Sequence, residues 1–243
     1  MPTAAERLYR KLKKDIVECE LSPGKSLSEA DMGRRYKIGR TPVREACRRL
    51  QNEGLVRIIP FRGYFIAPLS VAEFHDLEET QMVFEPETAA MAAQRATNDQ
   101  IAAMESCATY EYRVGDKESY WQFLEKNHHL HVAIAEATGN KELVAVINGV
   151  HTRLMRFFFI GVSLDAAGPQ LVQEHCRIVE AIRKRNPEQA RQRALEHVRK
   201  SMERSASSLM AAIRLGEAVF EPAPKQRSAR NTRARKAGQS AGK

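Results

Sequence analysis

The stretch Arg40-Thr41-Pro42-Val43-Arg44-Glu45-Ala46-Cys47-Arg48-Arg49-Leu50 decides how the rest of the chain is read. At about 100° per residue, Val43, Ala46, Cys47 and Leu50 share one helix face. Thr41, Arg44, Glu45, Arg48 and Arg49 share the other. Thr41 suits an N-cap and Pro42 the first helical position, and Glu45 and Arg49 have the spacing of an i,i+4 ion pair. Arg44 and Arg48 are like charges one turn apart, mildly unfavourable in an isolated helix but favourable when phosphates or guanine edges lie opposite. A solvated amphipathic helix would account for the apolar stripe, but not for that repetition of charge. The pattern is that of a helix built for the major groove of double-stranded DNA.

Towards the N-terminus, Leu8, Leu12 and Ile16, with Tyr9 and Val17, predict a helix from about Ala4 to Glu18, ended by Leu21-Ser22-Pro23-Gly24. Ser28 reads as an N-cap with Asp31 at N3, and Leu27 can pack on Met32, which starts a short helix running to about Tyr36. Lys37-Ile38-Gly39 then turns into the Arg40 to Gln51 helix, the spacing of a helix-turn-helix. Downstream, Leu55 to Ile59 and Tyr64 to Ala67 are β-rich runs around Pro60-Phe61-Arg62-Gly63. They read as a hairpin wing with Arg62 at its tip, placed to reach a groove beside the helix.

Leu27-Ser28-Glu29, Arg40-Thr41-Pro42-Val43-Arg44-Glu45-Ala46, Arg48-Arg49-Leu50 and Glu53-Gly54-Leu55-Val56 together resemble the winged helix-turn-helix of the GntR family of bacterial transcription regulators. The resemblance covers residues 4 to 68. It implies that Arg40, Thr41 and Arg44 contact bases and phosphates, and that Gly63 approaches the DNA backbone at the wing tip. Arg48 and Arg62 complete the expected DNA-binding set. Gly39 departs from the family pattern, which usually has Ser or Thr there, so one hydroxyl contact to phosphate is lost.

From Ser70 onward the pattern is helical and no further strand signal appears. A helix capped by Ser70 carries Phe74, Leu77 and Met82, and Pro86 is expected to break or kink it before Ala96. Further helices are predicted from Asn98 or Asp99 to about Val114, on through Ala137, from Lys141 to Ile160, from about Gln170 to Lys184, and from Asn186-Pro187 to about Leu215. The fold class expected is mainly α: an N-terminal winged helix-turn-helix with a small β-hairpin wing, followed by an antiparallel all-α helical bundle. The domain division is 1–69 for the DNA-binding part and 70–220 for an all-helical effector, metal-binding and dimerisation part. Residues 221–243, with Pro222, Pro224 and many Lys/Arg, are a disordered basic tail.

Net charge is +9 over 243 residues and is unevenly placed. Residues 1–69 hold 15 Lys/Arg against 8 Asp/Glu, residues 70–220 hold 17 against 21, and residues 221–243 hold 7 against 1. Both ends suit a polyanion and the middle does not. Cys19, Cys47, Cys107 and Cys176 are scattered singly, as in a reduced, cytoplasmic protein. The apolar neighbourhood from Phe157 to Val162 is too short an uncharged run to span a bilayer, so no membrane partner is expected.

Three helices each place one imidazole within an inward stripe. These are Leu124, Asn127, His131, Ile134 and Thr138; then Leu171, His175, Ile178 and Ile182; then Ala190, Ala194, His197 and Ser201. Separate hydrogen-bonded core histidines are one reading. A shared divalent metal (zinc, nickel or manganese) is the other, because it satisfies three converging imidazoles at once where the facing stripes are apolar. His128 and His129 lie off the stripe and are expected to be partly exposed. His151 and Arg153 share a helix, and Arg153 is carried as an effector-pocket residue.

Residues 71 to 215 resemble the FCD ligand-binding domain that accompanies one GntR subfamily: Leu130-His131 leads to Gly139-Asn140, and Glu174-His175 and Glu196-His197-Val198 match its two later histidines. The resemblance implies a metal held by Asn127, His131, His175 and His197, with Asn127 standing where the family has Asp. Gln81, four residues before Glu85, replaces a common Arg and is carried as an effector contact. The function expected is a one-component regulator: a homodimer on a palindromic operator, modulated by a small carboxylate bound near the metal. A metal-dependent hydrolase is the rival from another class, opposed by the lack of an acidic general base in the stripes. An effector-independent architectural DNA-binding protein is the third reading.

Overall fold

The structure, a computed structural model, describes residues 2–164, 168–215 and 220–221. Helix α1 (Ala4–Val17) starts where the Thr3 hydroxyl accepts from the Glu6 amide, and it buries Leu8, Leu12 and Ile16. Helix α2 (Glu29–Tyr36) begins at Ser28, whose side chain accepts from Asp31 N at 3.0 Å, with Met32 buried beside Leu27 as expected. Lys37 in the left-handed conformation (φ 52°) turns the chain into α3 (Arg40–Asn52).

Two expectations about α3 are corrected. Its N-cap is Gly39, not Thr41, so Arg40 already lies in the first turn and no side-chain hydroxyl closes the helix start. Arg49 does not pair with Glu45. It reaches Glu6 on α1 and lies 3.9 Å over the Tyr9 ring, an arrangement that adds cation–π attraction to the ion pair and ties α3 to α1.

The wing consists of β2 (Val56–Ile59) and β3 (Gly63–Ile66), antiparallel with Val56 opposite Ile66 and Ile59 opposite Gly63. A third strand, β1 (Ser26–Leu27), pairs with β3 to give the order β1-β3-β2. Two residues are too few to show an alternation in sequence, so β1 was not anticipated. At the hairpin tip Phe61 (φ 61°) and Gly63 (φ 93°) are both left-handed, and Phe61 projects fully into solvent.

Strand β4 (Leu69–Ser70) leads into α4 (Val71–Arg95), which runs through Pro86 without a break. Proline removes one helical hydrogen bond at a cost of about 3 kcal/mol. The cost is outweighed because buried residues on both sides of it, Glu78, Gln81 and Glu85 before and Ala89, Ala92 and Ala93 after, pack into the same bundle. Helix α5 (Asn98–Ala108) opens on a Thr97–Gln100 capping box and ends short of Val114, because the Ser119 hydroxyl bonds both the N–H and the C=O of Arg113 and holds a loop there. Helices α6 (Lys117–Glu136), α7 (Lys141–Leu164), α8 (Gly168–Arg183) and α9 (Pro187–Leu215) complete the bundle, with α9 laid along α4 and α8 and α6 along α7. A short strand, β5 (Phe220–Glu221), pairs parallel with β4, so a strand does occur after Ser70. The remainder of the expected tail, 222–243, lies outside the described residues.

By length and composition Lys141–Gly161, with Arg153 and Arg156 inside it, could cross a membrane; half of that window is buried inside the bundle. This helix also meets the winged part. Arg156, buried at 3% exposure, donates to the Ala67 carbonyl at 2.7 Å, and the Arg153 side chain packs against Gly54. Val17 of α1 joins Tyr112, Trp121 and Met155 in one apolar cluster.

Glu78 on α4 is buried, its Oε1 has no hydrogen-bond partner, and burial pushes its carboxyl up to about 8. The unfolded chain ionises this group near 4.5, so its contribution to stability is intact below that pH and is lost as pH rises to about 8. Thermal melts across this window should therefore show the wild type losing more stability than Glu78→Gln. Parallel curves would mean that Glu78 is ionised in the folded protein.

Candidate metal centre and DNA-facing helix

The three histidines predicted to converge do so. The rings of His131 on α6, His175 on α8 and His197 on α9 lie with centroids 4.7 to 5.5 Å apart, all three buried. One ring nitrogen of each lies within 4.8 Å of the other two. Helix spacing explains the convergence: each histidine replaces one apolar residue in a stripe that its helix turns inward.

Two acidic residues that the stripes did not reveal complete the cluster, and both orient imidazoles. Glu85 on α4 accepts from His131 Nδ1 through Oε2 (3.0 Å) and from His151 Nε2 through Oε1 (2.6 Å), and Gln81 donates to the same Oε1 (2.7 Å). Glu174 accepts from His197 Nδ1 (2.9 Å) and, through both oxygens, from the Arg204 guanidinium. A carboxylate on Nδ1–H fixes the tautomer and leaves the Nε2 lone pair of the same ring free. His131 Nε2 and His175 Nε2 are indeed buried with no hydrogen-bond partner. Orphaned buried nitrogens are costly, and a divalent cation would satisfy them. The donor set fits that group.

The electrostatics agree. Burial drives the imidazoles of His175 and His197 below their ordinary value and that of His151 to about 4, so these rings are neutral near pH 7, the form that ligates a metal. Burial alone would raise Glu85 and Glu174. At Glu85, electrostatic attraction to His131 and His151, with their N–H bonds, outweighs burial and holds the carboxyl well below the carboxylate range, and at Glu174 the bonds from His197 and Arg204 hold it at about 2.

The cluster opens on a cavity walled by Phe123, Leu124, Phe158 and Leu171 and lined by Gln81, Asn127, His131, His151 and His197. Asn127 and Gln81 thus border the same space as the histidines. Arg153 does not line this cavity; it turns outward to Gly54 and to Glu73, 3.7 Å away. His128 is half-buried beside Thr152 and His129 is exposed. His151, left open in the sequence, is a full member, with its ring stacked 4.1 Å from that of His131. The signal was present: Ile147, His151, Leu154 and Phe158 share one face of α7, and Gln81 and Glu85 sit in the Phe74, Leu77, Ala89 stripe of α4.

On the winged part, Arg40, Thr41, Arg44 and Arg48 are all exposed along one side of α3, with Arg62 exposed at the wing tip and Gly63 beside it. Arg44 is not free: its Nε donates to Glu29 Oε1 at 2.7 Å, and the Tyr64 hydroxyl donates to the same oxygen at 3.1 Å. That carboxylate holds the guanidinium against the wing.

Residues 4–66 match the bacterial regulatory proteins of the gntR family, and residues 76–200 match the FCD domain. The chain belongs to the GntR family of bacterial regulatory proteins, in its FCD-containing form, and is a transcription regulator rather than an enzyme. It is 24% identical to the transcriptional repressor RspR of Escherichia coli over 198 residues, 82% of this chain and 87% of that protein. It is 26% identical to the galactonate operon transcriptional repressor of the same organism, over 82% of this chain and 95% of that one. Among solved structures, Escherichia coli McbR/YncC superposes with a TM-score of 0.66 at 16% identity, over 86% of this chain and all of that one. A GntR regulator from Rhodococcus gives 0.64 at 21%, over 85% and 98%.

Glu85 supplies the test of the cluster's internal bonding. Glu85→Ala should destabilise the protein by about 1–3 kcal/mol for each imidazole N–H it orphans, measured by urea unfolding. A change within about 0.5 kcal/mol, the range of an ordinary surface substitution, would show that the two rings find other partners.

Proposed function

We propose that the protein is a cytoplasmic one-component regulator that binds a palindromic DNA operator as a homodimer. In this reading residues 1–69 grip DNA, residues 70–220 bind a divalent metal and a small carboxylate, and the basic stretch 221–243 adds non-specific attraction to DNA. The observation that carries the ligand part is the pair of orphaned nitrogens, His131 Nε2 and His175 Nε2, beside His197 at the head of a cavity. His131, His175 and His197 would hold zinc, nickel or manganese, and the amide oxygen of Asn127, which lines the same cavity and has no hydrogen-bond partner among the described residues, would join them. The metal, when bound, supplies positive charge for a carboxylate oxygen. A relative named for a galactonate operon, galactonate being a sugar acid, supports a carboxylate effector.

Transmission to DNA rests on α7. His151 and Phe158 face the cavity, and Arg153 and Arg156 of the same helix touch Gly54 and Ala67. An effector that shifts α7 changes the placement of the DNA-binding part, which is the differential contact that coupling requires. Arg40, Thr41, Arg44 and Arg48 would meet bases and phosphates in the major groove, with Arg62 and Gly63 at the neighbouring backbone.

Two measurements test this reading. Protein purified without chelator should carry a divalent ion. His131→Ala, His175→Ala and His197→Ala should each lose it and melt lower, EDTA should reproduce the loss in wild type but add little to the variants, and Asn127→Asp should tighten binding. Wild type that melts identically with and without chelator would return the histidines to a purely hydrogen-bonded core. For DNA, Arg44→Ala should cost about 1–3 kcal/mol on an operator selected from random sequence, with little loss on random duplex. Equal losses on both would make Arg44 a phosphate contact.

A further inference from the structure

One face of α9 is polar where it borders the cavity, beyond the histidines. Ser201, Arg204, Ser205 and Ser208 all line it. A helical serine ordinarily returns its hydroxyl to the carbonyl one turn back, yet none of these three hydroxyls bonds another described residue, although Ser205 and Ser208 are buried. Arg204 donates one N–H from each terminal nitrogen to Glu174 and has three of its five N–H donors left over, on a side chain that is about a quarter exposed where it meets the cavity. Between this face and the histidines, Phe123, Leu124, Phe158 and Leu171 offer only apolar surface.

We infer that Ser201, Arg204, Ser205 and Ser208 form a second ligand subsite, which takes the neutral, oxygen-bearing far end of a monocarboxylate whose acid group lies at the histidines. The inference rests on the proposed metal-anchored carboxylate. Charge selects a neutral far end. Among the described residues that line the cavity Arg204 is the one Lys or Arg, and both its terminal nitrogens already bond Glu174. A second carboxylate at this end would be buried beside that acid without a cation of its own. A hydroxyl or carbonyl instead accepts from Arg204 and exchanges hydrogen bonds with the serines, which an alkyl end cannot do. Along α9, Ser205 and Ser208 lie eight and eleven residues beyond His197, about 12 and 16 Å along the helix axis, so the serine end of the subsite is a small molecule's span from the histidines, while Arg204 reaches back to the Glu174 oxygen that also bonds His197.

The test uses the full-length, zinc-loaded protein and three acids of equal length that differ only at the far end: an n-alkanoate, its ω-hydroxy acid and the α,ω-diacid, in lengths from four to eight carbons. At the best length the hydroxy acid should bind about tenfold tighter than the alkanoate by calorimetry, one hydrogen bond to a charged group, and also tighter than the diacid. Ser208→Ala and Ser205→Ala should bring the hydroxy acid down to the alkanoate while the alkanoate itself holds. Ser205→Ala removes no packing volume of consequence and guards against a variant that fails to fold. A hydroxy acid no tighter than the alkanoate, or a preference that survives both substitutions, overturns the subsite, and a diacid that binds tightest overturns its neutral character. If zinc is retained but no acid binds, the carboxylate reading itself fails and takes the subsite with it. Alkanoates that bind without regard to the far end leave that reading standing and remove only the subsite.

Discussion

A single buried carboxylate, Glu85, carries the polar interior of the bundle. It lies on α4 and accepts from imidazoles on α6 and α7, so three helices converge on two oxygens. An anion this deep is tolerable only because both oxygens are saturated by N–H donors, and the two histidines are tolerable only because one nitrogen of each is spoken for. The consequence is directional. Once Nδ1 of His131 is committed to Glu85, its other nitrogen has one place left to point, towards His175 and His197. Glu174 does the same for His197 from the opposite side, with Arg204 behind it. The ligand geometry of the cluster is thus decided one bond away from it.

This arrangement also corrects the chemical reading of the sequence. The stripes around His131, His175 and His197 are apolar, which suggested a site without acidic groups. The acids are present, but on α4 and immediately before His175, and they face nitrogens, not open space. The histidine triad was legible because each residue interrupts an apolar period on its own helix. Glu85 and His151 were less so, because their meaning depends on α4 and α7 lying side by side, a fact of tertiary packing that no local period encodes. The unbroken course of α4 through Pro86 has the same origin: the local rule favours a break, and burial on both sides overrules it.

The winged part was the more readable half, since helix caps, the turn at Lys37 and the hairpin are all local signals. One error is local, the start of α3, which Gly39 and not Thr41 caps; the others are of long range. Arg49 pairs with Glu6, forty-three residues earlier, and Arg44 is held by Glu29 of the preceding helix. Neighbouring charges on α3 thus take opposite parts. Arg49 fastens the helix to α1, while Arg40 and Arg48 stay in solvent and Arg44 is paired with a carboxylate of α2.

Helix α7 sets a condition on how such chains can be recombined. Within eight residues it presents His151 and Phe158 to the cavity and Arg153 and Arg156 to the winged part, where Arg156 needs the Ala67 carbonyl and Arg153 needs a position without a side chain at Gly54. A Cβ at residue 54 would come within 2.9 Å of the Arg153 side chain, and Gly54 is already left-handed at φ 76°. A DNA-reading part borrowed from another regulator would therefore have to bring its own glycine after the recognition helix and its own unpaired carbonyl after the wing. Without them it could still fold, but it would lose the contacts that join it to α7.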